Sequence, residues 1–235
     1  MTKIDIFSGF LGAGKTTLIK KLLKEALSGE KVVLIENEFG EIGIDGGFMK
    51  EAGIQVTEMN SGCICCSLVG DFGQALEQVL FQYHPDRIII EPSGVGKLSD
   101  VIGAVQRLDN HDITLNAFVT VADATKCKIY MKNFGEFYNN QIEHAATIVL
   151  SRTGGMKEEK LLAAVALLRE HNANAPIITT PWEELDGKQI LEAMENKDSL
   201  KEELARLAAE QAEHDEAHHH HHHDEDEHDH EHCCH

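Results

Sequence analysis

The chain has 235 residues, 42% of them hydrophobic, enough for one sizeable domain with its own core. Its formal charge is −19 and it has no basic stripe, which argues against nucleic acid as a partner. No apolar run reaches the ~18 residues of a membrane span, and MTKIDIFSGF lacks the charged and apolar regions of a signal peptide; a cytoplasmic location with no membrane partner is expected.

KIDIFSGF (3–10) reads as a strand. It runs into GFLGAGKTT (9–17), which fits G-x-x-x-x-G-K-[ST] with Gly9, Gly14, Lys15 and Thr16 in register. TTLIKKLLKEAL (16–27) then carries apolar residues at helical spacing, so the motif sits between a strand and a helix, the context a phosphate-binding loop requires. Gly9, Gly12, Ala13 and Gly14 let the backbone wrap phosphates closely, and the helix N-terminus, with Thr16 and Thr17 in its first turn, presents positive potential to them. Lys15 is expected to reach the β- and γ-phosphates of a nucleoside triphosphate, and the Thr16 hydroxyl to ligate Mg²⁺.

KVVLIENEF (31–39) reads as a second strand. The polar loop after it, ENEFGEIGID (36–45), holds Glu36, Glu38, Glu41 and Asp45, which either approach the γ-phosphate or a metal or are simply solvated. IQVTEMN (54–60) is a weaker third strand. NSGCICCSL (60–68) then packs Cys63, Cys65 and Cys66 into four positions. Adjacent cysteines do not bridge each other without strain, and in a reducing compartment such a cluster reads as metal-binding or redox-active. Three thiolates suit Zn²⁺ and leave a fourth position for Glu36 or Glu41, a water, or a partner's ligand.

LVGDFGQALEQVLFQYH (68–84) reads as a helix and RIIIEPSG (87–94) as a buried strand ending in Glu91. A carboxylate there holds Mg²⁺ through water or orients the attacking water, with Ser93 and Gly94 placed to sense the γ-phosphate. A helix over 97–109, a strand at LNAFVTVADA (115–124), and strands at TIVLSRTG (147–154) and APIITTPW (175–182) follow. KEEKLLAAVALLREH (157–171) is an amphipathic helix with Leu161, Leu162, Val165 and Leu168 as its core stripe. Cys127 is expected to be a structural thiol, and His84, His111, His144 and His171 to be capping or solvated residues. Strands alternating with helices predict an α/β fold: three layers, a mostly parallel sheet flanked by helices, over residues 1–197. A C-terminal helix is expected over 198–213.

Residues 214–235 have no apolar periodicity and are expected to form a disordered tail. The segment holds eleven of the fifteen histidines, among them His218, His219, His220, His221, His222 and His223, together with Cys233 and Cys234. The acidic, His-rich style continues past the six-histidine run, which argues for a natural metal-binding tail rather than an appended tag. Residues 213–235 hold nine Asp/Glu and no Lys/Arg, so the tail attracts cations; the preceding residues contain 21 Lys/Arg against 31 Asp/Glu. Such a tail would serve as a store feeding the Cys63 cluster.

GFLGAGKTT, then ENEFGEIGID followed by GCICC, then IIIEPSG, in that order, resemble the CobW/HypB/UreG family of P-loop GTPases, its CobW-like branch most closely, over roughly residues 3–180. The resemblance implies GTP and Mg²⁺ as ligands, GTP hydrolysis, and delivery of a transition metal (Zn²⁺, or Co²⁺ or Ni²⁺) to a client metalloenzyme or metal-dependent protein. It implies that Glu91 takes the Walker B role beside Lys15, that Glu38 belongs to a switch loop, and that Cys63, Cys65 and Cys66 bind the metal. A nucleotide- or metal-dependent homodimer is a further expectation. The family reads guanine with Asn-Lys-x-Asp; here Ser151, Arg152 and Gly154 stand at those places, so GTP is expected through stacking on Arg152 while ATP stays open. Two other readings are a passive metal buffer with a nucleotide switch, and a small-molecule kinase, which would need an Arg-rich lid that the sequence does not contain.

Overall fold

The computed structural model describes residues 1–36, 55–58, 69–108, 110–195 and 197–219. In chain order its elements are β1 (Thr2–Ser8), α1 (Lys15–Glu25), β2 (Val32–Glu36), β3 (Gln55–Glu58), α2 (Val69–Tyr83), β4 (Arg87–Glu91), α3 (Leu98–Gln106), β5 (Ile113–Asp123), α4 (Cys127–Glu143), β6 (Thr147–Ser151), α5 (Glu158–His171), β7 (Ile177–Ile178), a 3₁₀ turn (Trp182–Glu184), α6 (Gly187–Met194) and α7 (Lys197–His219). The seven strands form one sheet in the order β3-β2-β4-β1-β5-β6-β7, and every pairing is parallel.

The central strands are continuous apolar runs because both faces are covered. Side chains alternate across each strand, so Ile4 and Ile6 of β1 and Ile88 and Ile90 of β4 pack on one face, under α2, α3 and α7. Phe7 and Ile89 point the other way, into a cluster with Leu18, Leu22 and Leu23 of α1 and Ile190 and Met194 of α6. A third cluster joins Ile148 and Leu150 of β6 to α4 and α5 through Tyr138, Ile142, Ala164 and Leu168. The result is the expected three-layer α/β architecture. Among the described residues, no helix is long and apolar enough to cross a membrane.

Several local expectations change. In α5 the inward stripe is Leu161, Ala164, Val165 and Leu168; Leu162 is 61% exposed, because a residue one step along a helix lies about 100° from its neighbour. The expected strand at 175–182 shrinks to Ile177–Ile178, since Pro176 and Pro181 supply no N–H to a ladder. Asp186 caps α6 through a capping box with Gln189, and the expected C-terminal helix begins at Lys197. That helix continues to His219, past the boundary expected at 213, through a sequence with no Gly or Pro to stop it. Finally, α4 spans a stretch whose apolar residues show no regular helical spacing. Its backbone departs from helical values at Phe134, beside Gly135.

Candidate functional site

The loop between β1 and α1 lies at the C-terminal edge of the sheet. Gly9, Gly12 and Gly14 all adopt positive φ (142°, 69° and 103°), a conformation that side chains disfavour. At Gly9 the chain also runs tight against β5: a Cβ there would sit 2.3 Å from the Val121 carbonyl oxygen. Ala13 is buried, Thr17 exposed, and Gly14 stands at the N-terminus of α1 with no side-chain cap, so the first-turn N–H groups stay available to an anion.

Lys15 is buried and its Nζ donates to the Gly9 carbonyl at 3.0 Å, curling the ammonium back over the loop. Glu91, also buried, ends β4 directly opposite. Thr16 Oγ1 donates to both Glu91 oxygens (3.0 and 3.2 Å), and Lys15 Nζ lies 3.9 Å from Glu91 Oε1. A cation, a hydroxyl and a carboxylate thus converge at the loop. The hydroxyl and carboxylate oxygens are hard donors suited to Mg²⁺. After Glu91 the chain returns to the loop: a Cβ on Gly94 would lie 2.8 Å from the Leu11 nitrogen, so only glycine allows this approach. Ser93, half-buried, accepts from the Gly96 N–H at 2.9 Å. Glu36 closes β2 in register with Glu91 on β4 and with Glu58 on β3.

On the other flank, β6 ends at buried Ser151, whose Oγ is 3.5 Å from the Ala122 carbonyl. Arg152 follows with φ 59°. Its guanidinium donates to the Gly12 carbonyl at 2.8 Å and pairs through Nε with Asp123 Oδ2 at 3.3 Å, so it ties the expected base-binding strand end to the phosphate loop.

Three residues escaped the sequence reading. Asp123, 2% exposed at the end of β5, accepts from the Thr125 N–H and hydroxyl and holds Arg152. Gln141, fully buried on α4, donates to the carbonyls of Gly94 and Gly96 and so fixes the loop after Glu91. Trp182 packs against the phosphate loop: a Cβ on Gly14 would touch its ring at 2.9 Å. An acid at the end of an apolar strand, as in VTVAD, was a usable signal for Asp123; the other two depend on distant packing.

Glu38, Glu41, Cys63, Cys65, Cys66, His220, His221, His222, His223, Cys233 and Cys234 lie outside the described residues, and of His218 and His219 only the backbone position on α7 is described. Among the described residues, no group of three or more His, Cys, Asp or Glu is placed to hold a metal. Cys127 is a buried free thiol, as expected. His144 is a helix-end residue, buried and paired with Glu203 at 2.9 Å; His84 stands at the end of α2 with φ 43° and its ring on the Leu80 carbonyl.

A parallel sheet with a G-x-x-x-x-G-K-T loop at its C-terminal edge and an acid at the end of the adjacent strand defines a P-loop nucleotide-binding domain. Within that class the chain belongs to the CobW/HypB/UreG family, whose nucleotide-binding-domain model matches residues 3–179. It is similar to the zinc chaperone CobW of a Sinorhizobium species (39% identity over 127 residues, 51% of this chain and 36% of that one). It is also similar to the zinc chaperone YjiA of Escherichia coli K12 (31% over 194 residues, 78% and 58%). The Zn(II)-bound structure of the E. coli YjiA GTPase superimposes with a TM-score of 0.61 at 25% identity, covering 79% of this chain and 59% of that one. HypB of Helicobacter pylori in complex with nickel shares the fold, with a TM-score of 0.57 at 15% identity over 88% and 89% of the two chains. The chain spans little more than half, or less, of the length of these curated relatives.

Proposed function

We propose that this protein binds and hydrolyses GTP and uses the nucleotide cycle to load and release a transition metal, Zn²⁺ by preference, for a client metalloprotein. The observation that carries the nucleotide half is the convergence of Lys15, Thr16 and Glu91 at the loop. In this reading Lys15 offsets charge on the β- and γ-phosphates. Thr16 and Glu91 would hold a Mg²⁺ ion, which would offset further charge on the phosphates. Glu38, Ser93 and Gly94 sense the γ-phosphate. Ser151 and Arg152 border the base, with no carboxylate at Gly154 to read the guanine amine. Cys63, Cys65 and Cys66 with Glu36 or Glu41 hold the metal, and His218 to His223 with Cys233 and Cys234 gather it. What supports the metal half is the resemblance of the cysteine motif, the names of the relatives, and the position of Glu36 one strand from Glu91.

The test is hydrolysis of GTP and ATP with and without Zn²⁺, Co²⁺ and Ni²⁺, on the protein and on a variant with the three clustered cysteines changed to serine. Metal-dependent GTP turnover in the first, and metal-independent turnover in the second, is expected. Equal metal affinity in the presence of GDP and of a non-hydrolysable GTP analogue would remove the linkage between the two sites, which must act in both directions if it acts at all.

A further inference from the structure

A cavity of about 620 Å³ opens between the start of α4 and the start of α5, with Arg152 and Gly154 at the end of β6 in its lining. Thirteen residues line it; four are cationic (Lys128, Arg152, Lys157, Lys160) and none is acidic. In a chain with 40 Asp/Glu against 21 Lys/Arg, that is a reversal of the overall charge. Among the described residues, Lys128, Lys157 and Lys160 form no salt bridge; the ion pairs in this region involve Lys126 and Arg152 with Asp123. Their charge is therefore directed at solvent and at the cavity. Two helix N-termini meet at the same place. Neither α4 nor α5 has a side-chain cap; α4 has no acid in its first turn, while α5 carries Glu158 and Glu159 there and its Lys160 N–H donates to the Lys157 carbonyl at 2.9 Å, so the helix-start potential comes mainly from α4. Apolar lining comes from Met156, Ala164 and Leu167, the last two four and seven positions after Lys160 and so on its face of α5.

We propose that this cavity, which adjoins the base-binding strand end through Arg152 and Gly154, is a second ligand site that stays open when nucleotide is bound, for an organic anion with an apolar body and a phosphate or carboxylate head. Its volume falls in the range of small-molecule sites, and its construction, a few converging charges beside an apolar lining, follows their usual pattern. The head group lies among Lys128, Lys157 and Lys160 at the two helix starts, and the apolar body covers Met156 and Leu167. Inorganic phosphate alone satisfies only the first half of this arrangement.

The full chain, saturated with GDP and Mg²⁺, is titrated calorimetrically with 1-naphthyl phosphate, 1-naphthoate and inorganic phosphate. The naphthyl compounds are expected to bind one per chain, with affinity that falls as salt is raised. Inorganic phosphate should bind at least about tenfold more weakly than 1-naphthyl phosphate. Changing Lys128 and Lys160 together to serine, both exposed residues outside the nucleotide machinery, should weaken the naphthyl compounds about tenfold and leave GDP affinity unchanged. Ala163→Phe, which adds bulk at a lining residue without altering charge, should do the same. Three results overturn the proposal: failure of the naphthyl compounds to bind the GDP-saturated chain, which would make the cavity part of the nucleotide site or no site at all; binding of inorganic phosphate as tight as that of 1-naphthyl phosphate; or undiminished probe binding in both variants.

Discussion

Gly9 and Gly12 share a sequence motif and a positive φ, yet they stand in different surroundings. A methyl group at Gly12 meets nothing within 4 Å, so Gly12→Ala carries only the left-handed backbone penalty, about 1–2 kcal/mol. At Gly9 the same methyl meets the Val121 carbonyl oxygen at 2.3 Å, a backbone atom of a central strand that has no rotamer to change. Gly9→Ala should push the loop off β5, lowering the melting temperature and abolishing binding of a fluorescent guanine nucleotide, while Gly12→Ala should melt within a few degrees of the parent. Equal nucleotide affinity in the two variants would contradict this geometry. The thiol of Cys127 gives a second contrast at this scale. Burial pushes it up, its hydrogen bond with Tyr138 only partly offsetting that, and its Sγ lies 3.3 Å from the Asp123 carbonyl. A buried neutral thiol is a poor nucleophile. Mass-spectrometric mapping after iodoacetamide treatment at neutral pH should find residue 127 unmodified until denaturant is added.

At the scale of elements, α4 is where reading the sequence and seeing the structure diverge most. β1, α1, β2 and β4 were legible because their signals are local: continuous apolar runs, a fixed glycine spacing, and apolar residues three and four apart. CKIYMKNFGEFYNNQIE hides its helix. Ile129, Phe134 and Phe137 are exposed apolar residues, Gln141 is a buried polar one, and Phe134 and Gly135 interrupt the period. Gln141 is polar because it serves a loop 45 and 47 positions away, donating to Gly96 and Gly94. No local pattern announces such a partner, just as none tells that Arg152 reaches back 140 positions to Gly12. Changing Gln141 to leucine keeps the volume but strips both carbonyls of their donor, a cost of about 1–3 kcal/mol. Because the loop follows Glu91, hydrolysis should fall further than nucleotide affinity does. Steady-state kinetics beside a urea melt separates the two, and a loss of stability with an unchanged turnover number would mean that the loop holds itself.

The whole molecule is tied together on the side of the sheet opposite the nucleotide loop. There Arg87, 1% exposed at the start of β4, binds Asp5 of β1, Glu30 and Glu195, while Lys3 and Asn116 also reach Glu195. The network joins three strands to the end of α6, and its carboxylates titrate in opposite senses. Burial alone would raise Glu195, but hydrogen bonds from Asn116, Arg87 and Lys3 hold it below its ordinary value of 4.5. Stability from Glu195 is therefore present above that value and lost as pH falls through the lower one of the folded state. Glu195→Gln should be less stable than the parent at neutral pH and should flatten the acid limb below about 4.5. Asp5 behaves the other way: burial pushes it up despite the pull of Arg87 and Asn116. Removing the guanidinium with Arg87→Met leaves that carboxylate buried without its counter-ion, which costs about 3–5 kcal/mol near neutral pH. With the pull of Arg87 gone, the carboxyl rises further and the folded protein takes up a proton more readily than the unfolded chain, so the penalty of Arg87→Met should shrink as pH falls from about 8 to about 5. Adding Asp5→Asn removes the orphaned charge and should restore most of the loss at the higher pH. Urea denaturation of the parent, the single variant and the double variant at both pH values decides it. A double variant as unstable as the single one at pH ~8 would mean that the loss comes from packing of the arginine stem rather than from the buried carboxylate.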